Sequence, residues 1–138
     1  MKLMDDERVV EVKSEYDIVI ARAVVRAIAK DMGFGLVDQT RIATAVSELA
    51  RNIVVHAGEG IILVREIIKG GSRGVEVLAI DQGPGISNIE LVLRDGYSSK
   101  GSLGVGLGGA KRLVDEFEIK SAPGKGTTVR IVKWLSVR

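Results

Sequence analysis

The sequence predicts an α/β two-layer sandwich, in which a mixed, largely antiparallel sheet of about five strands carries helices on one face. Three observations predict it. The apolar period changes along the chain in the order strand, two helices, two strands, helix, two strands. The helical segments cluster between hairpins instead of following every strand, which disfavours a doubly wound parallel sheet. The chain has 138 residues, enough for one core but not two, so residues 1–138 are read as a single domain.

Arg8 to Lys13 alternates weakly and suits a short opening strand. Ser14 and Asp17 then have the spacing of a capping box, ahead of a helix whose apolar stripe is Ile18, Ala21, Val25, Ile28, Ala29 and Met32. Arg22, Arg26 and Lys30 fall on another face, and Gly33 and Gly35 end the helix. Asp38 is placed to cap a second helix, with Ile42, Ala45, Val46, Leu49 and Ile53 as its stripe and Gly58 as its stop. The period then shortens. Ile61 to Ile68 and Val75 to Ile80 are rich in β-branched residues and flank Lys69 to Gly74, which predicts an antiparallel hairpin. A short helix near Ile89 to Arg94 is followed by a helix from Leu107 to Glu118, with Ala110, Leu113, Val114 and Phe117 buried. Glu118 to Ala122 and Thr127 to Leu135 make a last hairpin around Pro123 to Gly126.

Composition narrows the function. The 20 basic and 18 acidic residues are interspersed, so no basic stripe exists to follow a phosphate backbone and nucleic acid is not an expected partner. There is no cysteine and one histidine, which excludes disulfides and a thiolate or multi-histidine zinc site. No apolar run is long enough to span a bilayer, and Met1 to Val12 lacks an apolar signal core; no membrane partner is expected, and the location expected is cytoplasmic. The 17 glycines are the outlier, and most fall between Gly58 and Gly126, where they mark loops.

Four stretches can carry chemistry. Glu48 and Asn52, four apart on the second helix, share a face away from its apolar stripe. Alone, such a pair usually marks a solvated surface. Asparagine is nevertheless a poor helix former whose carbonyl oxygen suits a hard cation such as Mg²⁺, and Glu48 beside it can accept a hydroxyl proton. Asp81, at the end of a buried strand, can accept from an exocyclic amine, while Gly83 and Gly85 give either a tight turn or close approach of a base to the backbone. Gly101 to Gly109 includes the spacing Gly104-Val105-Gly106-Leu107-Gly108-Gly109. A dinucleotide fingerprint needs a preceding buried strand and an acid about 20 residues on, and both are missing. A P-loop needs Lys and then Ser or Thr where Ala110 and Lys111 stand. What remains is a glycine loop opening onto a helix N-terminus, where free amides attract phosphate. Gly124 to Thr128 is a hairpin turn in which Thr127 can still bond a phosphate. His56 reads as a helix-end residue, and Trp134 and the two tyrosines as core or interface residues.

Taken jointly, Glu48 with Asn52, Asp81 with Gly83 and Gly85, Gly104 with Gly106 and Gly108, and Gly126 with Thr127 resemble the N, G1, G2 and G3 boxes of the Bergerat ATP-binding (GHKL) fold. The Ser47-to-Asn52 context and the Lys111-to-Phe117 segment make the chain similar to the anti-sigma-factor serine/threonine kinase branch, in particular to stressosome switch kinases. The resemblance implies ATP and Mg²⁺ as cofactors, with Asn52 on the metal, Glu48 as general base and Asp81 on the adenine amino group. It implies a lid from Gly101 to Gly109, including Gly104, Val105, Gly106, Leu107 and Gly108, that closes over the phosphates. Lys100 is taken as the catalytic cation of the lid, with Arg94 the other candidate. The implied substrate is a STAS-domain antagonist protein, and the implied further partners are a PP2C-type phosphatase or a sigma factor. An ATP-dependent binding module is the alternative, and the intact Glu48 and Asn52 favour the kinase.

Overall fold

The computed structural model describes residues 7–93 and 106–136, and everything below refers to these. The chain opens with β1 (Arg8–Val12), followed by two helices, α1 (Glu15–Met32) and α2 (Leu36–His56). A hairpin, β2 (Gly60–Lys69) and β3 (Ser72–Asp81), comes next, then a single turn α3 (Ile89–Val92) and a short α4 (Gly106–Arg112). A second hairpin, β4 (Glu116–Ser121) and β5 (Thr127–Trp134), closes the fold. The sheet order is β1-β2-β3-β5-β4. Each pairing is antiparallel, so the sheet is wholly antiparallel where the sequence reading allowed a mixed one.

Both long helices form for the reasons the stripes suggest, and their ends show how local chemistry is settled. Ile18, Ala21, Val25, Ala29 and Met32 of α1 are buried, as are Ile42, Ala45, Val46, Leu49 and Ile53 of α2. The left-handed Gly33 (φ 102°) ends α1, letting its N–H and that of buried Phe34 bond back to Lys30 and Ala29. At the other end the expected capping box is not made: Asp17 accepts from the N–H of Lys13, one residue before the N-cap, at 2.8 Å, and the Ser14 hydroxyl caps nothing. Gly35, not Asp38, is the N-cap of α2. Asp38 lies inside the first turn and pairs instead with Arg41 at 3.1 Å and Lys133 at 3.8 Å.

The β2–β3 hairpin is longer than its apolar core suggests. Its loop is just Gly70-Gly71, both at positive φ, as a two-residue turn matched to strand twist requires. Alternation sorts its side chains: Ile62, Val64, Val75, Val77 and Ala79 are buried beneath the helices with Val129 and Ile131 of β5. Leu63, Leu78 and Ile80 point to the uncovered face and are half-buried.

The helix expected from Leu107 to Glu118 is the main correction. It stops at Arg112, and Glu116, Phe117 and Glu118 belong to β4, paired with Val132, Ile131 and Arg130. Phe117 meets the helical spacing from Ala110 and Leu113, but it also alternates with Glu116 and Glu118, and pairing with β5 decides between the two periods.

Glu76 sits at the centre of the uncovered face with only 4% of its surface exposed. Arg65 Nε and Arg130 Nε each donate to it at 2.6 Å. Arg130 also reaches Glu116 at 3.2 Å, and Glu116 accepts from Trp134 Nε1 at 2.9 Å. Burial works against the charge of Glu76, but the bonds and charges of the two arginines together outweigh it and hold its carboxyl below the usual range. The Trp134 and Arg130 bonds do the same to Glu116. Trp134 packs across Gly74 on this face, whereas Tyr16 is 71% exposed on α1.

Candidate active site

The parts of the site meet at one end of the helix-covered face. Asp81 is the last residue of β3 and Thr127 the first of β5, and the register sets them opposite each other. Both are buried, at 6% exposure, where a polar group needs partners. Asp81 Oδ1 accepts the Gly83 N–H at 2.8 Å, which leaves its other oxygen as an acceptor for an amine. Thr127 Oγ1 lies 2.8 Å from Ser121 Oγ. Thr127 is therefore a neighbour of Asp81, and its hydroxyl has Ser121 as a partner in this structure.

Ser121 is a residue that sequence reasoning missed. Its hydroxyl accepts from the Ile86 N–H at 2.8 Å, donates to the Gly126 carbonyl at 2.9 Å and touches Thr127, so it fastens the β4–β5 turn to the loop after β3. The backbone adds a second tie, from Gly124 N–H to the Pro84 carbonyl at 2.7 Å. Close packing within the protein already calls for glycine at two of these positions. A Cβ on Gly83 would stand 2.6 Å from that of Ala57, and Gly85 (φ 80°) lies against the Ala122 carbonyl. Only the register of the closing hairpin, with Ser121 opposite Thr127, could have pointed to Ser121.

At the other end, Glu48 and Asn52 occupy one side of the second half of α2. Glu48 is 7% exposed and Asn52 half-buried. Glu48 Oε1 accepts the Gly106 N–H, the first amide of α4, at 3.1 Å, and Oε2 accepts from Arg51 Nη1 at 2.9 Å. The amide expected to attract phosphate thus meets a carboxylate in this structure. The Leu107 side chain is in the core beside Gly108, Gly109 and Ala110, leaving only its backbone for a ligand. His56 is in the last turn of α2. Arg94, Lys100, Gly101, Gly104 and Val105, expected to belong to a lid, and the second tyrosine, Tyr97, lie outside the described residues.

Among the described residues no group of three or more His, Cys, Asp or Glu side chains is placed to hold a metal. The donor set fits a cation that one amide oxygen, Asn52, shares with phosphate oxygens and water, which is how Mg²⁺ is usually held beside a nucleotide. No helix among these residues is long and apolar enough to cross a membrane.

This arrangement of a helix bearing Glu48 and Asn52 over an antiparallel sheet ending in Asp81 has relatives. Residues 12–133 match the histidine kinase-like ATPase domain. The chain belongs to that family. Within the histidine kinase-like ATPases it falls in the branch of serine/threonine-protein kinases and anti-sigma factors. The serine/threonine-protein kinase RsbT of Bacillus subtilis (strain 168) is 50% identical over 132 residues, covering 96% of this chain and 99% of the relative. The anti-sigma F factor of Thermoanaerobacter sp. (strain X514) is 36% identical over 121 residues, 83% of each chain. Two solved structures share the fold. The RsbU and RsbW domains of Rv1364c from Mycobacterium tuberculosis align with a TM-score of 0.64 at 21% identity, covering 95% of this chain, which spans about a third (33%) of that one. The mycobacterial sensor histidine kinase MprB aligns at 0.57 with 23% identity, covering 96% of this chain and 99% of MprB.

Proposed function

We propose that this histidine kinase-like ATPase transfers the γ-phosphate of ATP to a serine or threonine hydroxyl of a STAS-domain antagonist protein, in a cytoplasmic partner-switching module of the stressosome type. The observation that carries this reading is the buried Glu48 carboxylate, one turn from the cation-ligand candidate Asn52 and bonded to the first amide of α4. A protein that only bound ATP would need no base beside the metal ligand. The 50% identity to a serine/threonine-protein kinase supports the same reading.

In the reaction, Asp81 accepts from the adenine amino group and fixes the nucleotide at the β3–β5 end. Asn52 holds the magnesium ion, which when bound offsets charge on the phosphates. Glu48 takes the proton of the acceptor hydroxyl; the acceptor oxygen bonds to the γ-phosphorus; the bond to the bridging oxygen breaks, and ADP leaves with that electron pair. Lys100 or Arg94 supplies the cation near the γ-phosphate. Neither nucleic acid nor membrane takes part. Once free of the antagonist, the kinase also engages a PP2C-type phosphatase. A second reading, an anti-sigma factor that retains a sigma factor, draws support from the anti-sigma F factor relative.

The test is labelled ATP with a STAS-domain protein, followed by phosphosite mapping. Phosphoserine or phosphothreonine is expected with the unaltered chain. With Glu48→Gln the transfer rate should fall by about 10²- to 10⁴-fold while ATP binding persists. Transfer at the unaltered rate by Glu48→Gln would remove the base assignment. Capture from cytoplasm with and without ATP separates the partners: a retained sigma factor and no STAS protein would favour the second reading.

A further inference from the structure

Glu48 has a second partner that its role as base does not by itself require. Resting on that role, we propose that Arg51 is the positioning residue of the base, fixing the Glu48 carboxylate toward an acceptor hydroxyl that enters through the groove between α1 and α2. A pair three apart on an exposed helix face holds little in place, because water competes for both groups. This pair is different. The Glu48 side chain is 7% exposed, and its partner Arg51 is 34% exposed. A carboxylate at that depth needs donors, and it has one on each oxygen, Gly106 N–H on Oε1 and Arg51 Nη1 on Oε2. Each oxygen keeps a further acceptor site, so the carboxylate can be held and still take a proton.

The two donors are not equivalent. Gly106 belongs to α4, a separate element that follows the lid segment, so its hold depends on where α4 sits. Arg51 is carried by α2 itself, three residues from Glu48, and keeps its hold wherever α4 lies. Arg51 also marks a direction. With Ile18, Val19, Arg22, Thr44, Ser47 and Glu48 it lines a cavity of about 280 Å³ between the two helices. Ser47 Oγ is spent on the Ala43 carbonyl at 3.0 Å, which leaves Thr44, Glu48 and Arg51 as the polar groups of α2 along this groove, with Glu48 and Arg51 the charged pair among them.

The experiment compares Arg51→Met and Arg51→Lys in the full chain, with labelled Mg·ATP and a STAS-domain acceptor. A positioning role predicts that Arg51→Met lowers kcat between about tenfold and a hundredfold, because a misdirected base costs rate without costing binding, while KM for ATP stays within about twofold. Arg51→Lys should recover part of the loss, since a point charge reaches the carboxylate without the guanidinium fork. On the slow residual rate of Glu48→Gln, followed by extended single-turnover incubation, adding Arg51→Met should change nothing further. Unchanged kcat in Arg51→Met, an equal further loss in the Glu48→Gln background, or a rise in acceptor KM alone would each overturn the proposal. If Arg51→Met does not fold, Arg51→Gln carries the same comparison. Failure of the underlying reading looks different: Glu48→Gln would then transfer phosphate normally. If the unaltered chain phosphorylates no STAS protein, the comparison is made on hydrolysis of Mg·ATP with water as acceptor, with the same outcomes deciding.

Discussion

At the Asp81 end of the site a single hydroxyl, Ser121, joins Ile86, Gly126 and Thr127, whereas at the Glu48 end the Glu48 carboxylate of α2 takes the first amide of α4, and Leu107 and Ala110 of α4 pack into the shared apolar core. The first end is set by the register of three strands and two interlocked loops. The second joins two helices that come from distant parts of the chain. Under the proposed function the difference separates two tasks. A base can be recognised by groups that are already in place and lose little freedom on binding. Phosphate chemistry needs an opening that closes, and a bond such as Glu48 to the Gly106 amide, between separate elements, can be broken and remade with each turnover.

The sharpest way to break this contrast is Asn52→Ala. If the Glu48 end depends on a cation that Asn52 holds, the variant should bind Mg·ATP at least about a hundredfold more weakly by calorimetry, while ATP measured without magnesium changes far less. Similar losses in both conditions would move Asn52 out of metal binding. Asp81→Asn should come next. Losing one acceptor to the base costs about 1–2 kcal/mol, or roughly tenfold in affinity, and kcat at saturating ATP should hold; equal affinity would remove the adenine role. Ser121→Ala tests whether the Asp81 end is prebuilt: stability should drop by about 1 kcal/mol, with a smaller loss of ATP affinity. A drop in affinity alone would mean that the loops are locked only by the ligand.

The uncovered face supplies the control, and the smallest effect. Glu76 and Glu116 titrate lower in the folded chain than in the unfolded one, so their stabilisation is complete above the ordinary carboxylate value near ~4.3 and is lost as pH falls through their lowered values. Thermal melts should therefore show stability declining below about pH 4. Glu76→Gln should flatten that decline and lower stability at neutral pH by about 1 kcal/mol, with Arg65 and Arg130 partly screened by water, and leave ATP affinity unchanged. A changed affinity would show that the two faces are coupled.

The helices α1 and α2, the first hairpin and the pairing of Glu48 with Asn52 could be read from spacing, because each depends on residues close in sequence. The end of α4 could not, since Val114 to Phe117 satisfies a helical stripe until β5 is present to pair with it. Glu76 was equally hidden. Its partners Arg65 and Arg130 lie 11 and 54 positions away, and only the strand order makes them neighbours. Arg51 was a different kind of miss. Its spacing from Glu48 was in plain view, but spacing does not reveal that one member of the pair is buried.

Asp81 and Thr127 face each other in register, and the segment 82–126 both leaves and returns between them. From the viewpoint of the sheet, residues 82–115 of that segment are a detour, after which β4 takes the edge position beyond β5. Chain length added to such a detour is cheap, roughly 0.6 kcal/mol for each doubling of a flexible loop. Descendants of this fold can therefore lengthen, shorten or exchange the stretch between α3 and α4 without disturbing the strand pairing. Grafting a foreign segment between α3 and α4 should yield a folded protein whose phosphate chemistry has changed and whose base selectivity has been inherited.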